Sequence, residues 1–109
     1  MAPNAPSESP IMTVLEADVP ADRWSELAEL YRKAGERLPS QMLHAFLVQS
    51  STERSRWRGI SIWRSRAALE EYRSSVQTPA GIAMFQAVGA QPMVTLWDVD
   101  AALSASPIA

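Results

Sequence analysis

The chain contains one histidine, His44, and two tyrosines, Tyr31 and Tyr72. These are the groups whose chemistry suits proton handling near neutrality or hydrogen bonding to a ligand oxygen. His44 lies in the apolar run from Gln41 to Gln49. It is either the base of a pocket or a buried or interface histidine held by one hydrogen bond. Tyr72 either donates to a ligand oxygen or keeps its hydroxyl in water above an apolar ring. Trp63, at the end of the run from Trp57 to Arg64, is either a wall on which a flat ligand stacks or an anchor of the core. Trp24, Tyr31, Met84 and Phe85 come from two helical segments that should face the same side of a sheet. With Trp63 they would line an apolar pocket for an aromatic ligand, or they are simply core. The candidate catalytic residues are thus His44 and Tyr72. The candidate binding residues are Trp63, Trp24, Tyr31, Met84 and Phe85.

The composition removes several other chemistries. There is no cysteine, which excludes disulfides, thiolate nucleophiles and cysteine-ligated metal centres. A single histidine excludes a multi-histidine metal site within one chain. The four glycines form no phosphate-binding loop. Asp98 and Asp100 carry little weight as metal ligands, so neither metal nor cofactor is expected. Ten basic and twelve acidic residues give a net charge of −2, which predicts no strong pull toward nucleic acid or an anionic membrane. Arg54, Arg56, Arg58, Arg64 and Arg66 do crowd together. With Glu53 beside them they read as a solvated hairpin with ion pairs between subunits. No apolar run is long enough to span a bilayer, and Met1 to Pro10 lacks the features of a signal peptide. A soluble cytoplasmic protein is expected.

Position along the chain comes from periodicity. Residues 1–10 read as a flexible arm, 11–100 as one domain, and 101–109 as a surface tail. Ile11 to Asp18 is a short β-branched strand. Over residues 20–38, Trp24, Leu27, Ala28, Tyr31, Ala34 and Leu38 fall on one stripe at helical spacing, with charged residues opposite. Pro39 ends that helix. Gln41–Gln49 and Trp57–Arg64 are strands joined by a polar hairpin loop. Ser65 caps a helix over residues 66–74 whose Ala68, Leu69 and Tyr72 share a face. Thr78 and Pro79 open a shorter helix over 80–88 that Gly89 stops. Residues 92–99 form the last strand.

Strand, helix, strand, strand, broken helix, strand is the ferredoxin-like β-α-β-β-α-β order. It implies an α+β fold: a four-stranded antiparallel sheet with helices on one face. A sheet with one wet face should alternate apolar and polar residues. Here Met42, Phe46 and Val48 oppose Leu43, Ala45 and Leu47, and Met93 and Trp97 oppose Val94 and Leu96. Both faces are apolar, and no element is left to cover the second. A homodimer, sheet against sheet, is expected.

The run Gly59-Ile-Ser-Ile-Trp63-Arg-Ser65-Arg-Ala-Ala-Leu-Glu-Glu-Tyr72 resembles the strand–turn–helix segment of the dimeric α+β barrel superfamily. More narrowly, it resembles antibiotic biosynthesis monooxygenase-like domains. There a strand ends in Trp, one residue and Ser, and an aromatic follows about nine residues after the Trp. Trp63, Ser65 and Tyr72 match. In element order the resemblance covers about residues 11–100. It implies a cofactor-independent monooxygenase-like protein that takes a small planar aromatic or polyketide-type substrate between helices and sheet. The substrate enolate itself reacts with oxygen in such chemistry, His44 or Tyr72 handles the proton, and Trp63 is the wall. Two features depart from the pattern. The only asparagine is Asn4, where oxygenases of this kind often place Asn in the pocket. Haem-degrading members use a His on the segment after the Trp, and residues 66–88 contain none. The alternative is a non-catalytic dimeric ligand-binding or interaction protein of the same fold.

Overall fold

The computed structural model describes residues 9–105. Its first strand, β1 (Ile11–Asp18), is the apolar, β-branched run at the start of the domain. The helical stretch that follows is in three pieces. A 3-10 turn over Ala21–Arg23 leads into α1 (Trp24–Ala34), and Gly35–Arg37 closes it with a second 3-10 turn. The continuous helix expected over residues 20–38 therefore ends earlier, at a glycine that favours the α-helix poorly. Leu38 consequently leaves the apolar stripe and is exposed.

Strands β2 (Met42–Gln49) and β3 (Arg56–Trp63) form the hairpin. Helix α2 (Arg66–Ser75) starts at Ser65, whose hydroxyl accepts from the Ala68 N–H at 3.0 Å, a capping bond typically worth about 1 kcal/mol. Helix α3 (Ala80–Ala87) and strand β4 (Met93–Asp98) complete the order. Thr78 does not cap α3, because Pro79 occupies the capping position and offers no side-chain acceptor. The Ala80 N–H instead donates to the Tyr72 hydroxyl at 3.0 Å. Gly89 ends α3 as expected, with φ of 81°, a conformation that costs a side-chain-bearing residue about 1 kcal/mol or more.

The sheet is antiparallel throughout, in the order β2-β3-β1-β4. Ile11, Thr13, Leu15 and Ala17 of β1 point toward the helices, and the register brings Trp63, Ser61, Gly59 and Trp57 of β3 beside them. The buried core on this side falls into two clusters. One joins Ala17, Val19, Leu27, Trp57, Phe85, Val88 and Ala90. The other joins Ile11, Trp63 and Leu69, with Met42 and Tyr72 packed against it.

The opposite face bears no helix among the described residues. Phe46, Val48, Met93 and Trp97 are all exposed there, Met93 by 70% and Trp97 by 54%. Glu16 and Arg58, partners in register, pair at 2.6 Å at one end of it. β2 contributes to each face differently from simple alternation. The register shifts between Met42 and His44, so that Met42 pairs with Trp63 and His44 with Ile62. Leu43 is the extra residue of a β-bulge. Met42 therefore joins the helix side, away from Phe46 and Val48. Most of the expected N-terminal arm lies outside the described residues, as does the end of the expected tail. Residues 101–105 are exposed and without regular structure.

Candidate functional site

On β3 the helix-facing positions read Trp57, Gly59, Ser61, Trp63. Two indoles thus stand about 20 Å apart along the strand, with almost no side chain between them. The neighbouring strands repeat the pattern in milder form, with Thr13 on β1 and Ala45 on β2. The helices rest on the large residues at the two ends. Trp24 and Trp57 meet with ring centroids 6.1 Å apart, and Leu69 packs with Trp63 and Ile11. Between the two clusters is an open-mouthed cavity of about 530 Å³, a size typical of small-molecule sites.

The cavity wall is mainly apolar. Leu15, Leu27, Leu47, Met84, Phe85 and Val94 supply much of it. Trp63 is 4% exposed and belongs to the core cluster while also forming part of the wall. It is anchor and wall at once. Its Nε1 donates to Thr13 Oγ1 at 3.1 Å, which satisfies both buried groups and fixes the indole plane. Tyr72 packs on Trp63 with centroids 5.0 Å apart and rings tilted by 36°. Its hydroxyl accepts from Ala80 N–H and keeps its own proton for a second partner. Because Pro79, Ala80, Gly81 and Ile82 also line the cavity, this bond ties the α2 wall to the first turn of α3.

Tyr31 lines the cavity from α1. Its hydroxyl is buried and has no hydrogen-bond partner among the described residues. Burial pushes its pKa from 10.0 up to about 12, since the phenolate is the form that burial disfavours.

The structure separates the remaining candidates from this group. His44 lies on the helix-free face, exposed and stacked on Phe46 with centroids 6.3 Å apart. It does not reach the cavity, because the bulge at Leu43 fixes its parity with Ile62. Trp24 also lies outside the cavity wall. It seals the far cluster against Trp57 and donates from Nε1 to the Val19 carbonyl at 2.8 Å. Trp24 and Tyr31 share a face of α1, but seven residues of helix separate them by about 10 Å. Trp63, Tyr31, Met84, Phe85 and Tyr72 are the candidates brought together. Thr13, Ser61, Arg37 and Arg73 join them in the wall without having been singled out by residue type. The small residues at alternate positions between Trp57 and Trp63 are the pattern in the chain that marks the gap.

The arginines of the hairpin region are largely occupied. Arg56 reaches Glu53 at 3.1 Å, Arg58 pairs with Glu16, and Arg66 pairs with Asp98 at 3.1 Å. Arg64 donates to the Ser40 carbonyl. Among the described residues no three acidic, histidine or cysteine side chains gather as a metal site would require, and no helix is long and apolar enough to cross a membrane.

Solved structures with this architecture are numerous. The chain superposes on SnoaB, a cofactor-independent oxygenase from Streptomyces nogalater, with a TM-score of 0.66 at 13% identity, covering 87% of this chain and 97% of that one. A haem-degrading protein from Mycobacterium tuberculosis gives 0.65 at 18% identity, over 89% and 98% of the two chains. A protein from Deinococcus radiodurans with the provisional name antibiotic biosynthesis monooxygenase gives 0.65 at 11% identity, over 89% and 99%. No protein-family model and no curated relative matches the sequence. The fold is that of the antibiotic biosynthesis monooxygenase-like domains.

The unpartnered Tyr31 hydroxyl has a measurable consequence. A buried hydroxyl without a partner contributes nothing that its removal would forfeit, so Tyr31→Phe should leave stability at pH 7 unchanged or raise it. The raised pKa adds a pH signature. The unfolded chain ionises this phenol from about pH 10 while the folded protein holds the proton to about pH 12, so stability falls as pH rises through that window. Denaturant titrations between pH 9 and pH 12 should show a fall in the parent protein that is smaller in Tyr31→Phe. A marked loss of stability in the variant at pH 7 would contradict the geometry.

Proposed function

We propose that this protein binds a small planar aromatic or polyketide-type molecule in the cavity between helices and sheet, and acts on it as a cofactor-independent monooxygenase. The observation that carries the reading is the apolar cavity walled by the Trp63–Tyr72 pair. A flat ring system can stack there while one oxygen faces the Tyr72 hydroxyl. The chemistry asks little of the protein. A substrate with an acidic CH₂ in the same ring as a ketone and conjugated to it, as in anthrone, loses a proton to give an enolate, which reduces dioxygen. The CH₂ becomes C=O, one oxygen atom enters that carbonyl, the other leaves as water, and the substrate supplies the electrons. Tyr72 would donate to the enolate oxygen as charge builds there, since its lone pair is already engaged by Ala80 N–H. His44 is removed from this scheme by its position. The resemblance to a cofactor-independent oxygenase of the same fold supports the reading.

One observation favours a second reading. Among the described residues no His, Asp or Glu lines the cavity, and with them goes a general base of the usual kind. On that ground the alternative is a non-catalytic ligand-binding dimer. Oxygen consumption with anthrone as probe separates the two. The oxygenase reading expects uptake above the buffer rate without added reductant, one dioxygen per anthrone, reduced about 100-fold in Tyr72→Phe. Binding of anthrone without uptake would leave the ligand-binding reading and overturn the enzymatic one.

We also propose that the protein is a homodimer through the helix-free face. Phe46, Val48, Met93 and Trp97 form an exposed apolar surface of a kind that soluble monomers seldom leave uncovered. The face carries both signs of charge at one end, Glu16 and Asp18 beside Arg56 and Arg58, so a two-fold copy can meet it without like-charge conflict. Sedimentation velocity at micromolar concentration should give a dimer, and Trp97→Glu together with Phe46→Glu should give a monomer. A stable monomer for the parent protein would overturn the proposal.

A further inference from the structure

The charged residues of the cavity wall are Arg37, from the turn after α1, and Arg73, from α2. Among the described residues no acidic side chain lines the cavity with them. In a protein of net charge −2, a wall with charge of one sign is a local departure from the whole. Their ion pairing differs from that of the hairpin arginines. Among the described residues no carboxylate lies within pairing distance of Arg37, and the nearest carboxylate oxygen to Arg73, from Glu70, is 3.9 Å away. Both guanidinium groups therefore keep most of their donors free. Arg37 is exposed and the Arg73 side chain is 35% exposed. Both line the cavity while staying open to solvent, which puts positive charge on its solvent-accessible wall.

From this we infer that the ligand is an amphipathic acid, with a flat apolar body inside the cavity and a carboxylate at the mouth held by Arg37 and Arg73. This deepens the proposed function, and it rests on the cavity being the ligand site. A guanidinium presents planar forked donors that match a carboxylate, and the pairing strengthens where one side is shielded from water. A phosphate ester fits less well. The first backbone N–H of α3, the amide nearest to such a group's needs, is already given to Tyr72, and the wall offers no glycine-rich cradle. The apolar interior in turn disfavours burying the acid head, so the charge sets the orientation of the bound molecule: acid outward, rings against Trp63.

The test uses a matched pair of probes, anthraquinone-2-carboxylate and its neutral carboxamide, titrated calorimetrically into the full chain at low ionic strength. The acid should bind about tenfold more tightly than the amide. In Arg37→Gln and in Arg73→Gln the preference should shrink toward unity while amide affinity stays within about twofold. Arg32→Gln, on the outer side of α1 and paired with Glu29, should leave the preference intact. Raising salt should narrow the gap in the parent protein. Equal affinities for acid and amide would overturn the inference and leave the cavity reading standing. Failure of both probes to bind would overturn the cavity reading and the inference with it.

Discussion

The structure depends on a mismatch in side-chain size along one face of the sheet. Large residues at both ends, Trp57 and Trp63 on β3 with Ile11 beside Trp63, set the height at which the helices rest. Of the small residues between, Gly59 is covered by the Phe85 ring, while Ser61, Thr13 and Ala45 cannot fill the space beneath. A protein interior ordinarily closes such gaps, since each unfilled contact forfeits dispersion energy. Here collapse is opposed from two sides. Leu27 and Phe85 are locked in one cluster and Leu69 in the other, so neither helical layer can sink into the centre without lifting off an end.

That constraint explains the polar details of the wall. An indole at the edge of a cavity needs a partner for its N–H, and Thr13 provides one within the sheet. Helix α3 begins at Pro79 without a side-chain cap, so its first amide finds the Tyr72 hydroxyl where Thr78 would have served elsewhere. Tyr31 finds no partner at all. The cost of leaving its hydroxyl unpaired is of the order of 1–3 kcal/mol.

Much of the architecture is legible in the chain itself. Periods of two and of about 3.6 residues, Pro39, Ser65 and Gly89 mark the elements to within a few residues, and the Trp63–Ser65–Tyr72 spacing points to the fold that the comparisons bear out. The site is less legible, for two physical reasons. Both faces of the sheet are apolar, so alternation cannot say which side the helices cover. The bulge at Leu43 then inverts the parity of what precedes it, which brings Met42 to the cavity and leaves His44 on the other face. In addition, helical periodicity fixes the face of α1 but not the position along it, so Trp24 and Tyr31 look equivalent although one seals the core and the other lines the opening. Arg37 and Arg73 carry no local signal, because only the tertiary fold brings a turn and a helix from different halves of the chain to one cavity.

The measurement that tests the split core most directly is a crystal structure under xenon pressure. Xenon occupies apolar cavities that protein atoms leave empty. The account predicts xenon over Ser61 and Ala45, with Trp63 still bonded to Thr13. A centre filled by repacked side chains, with no xenon bound, would contradict it.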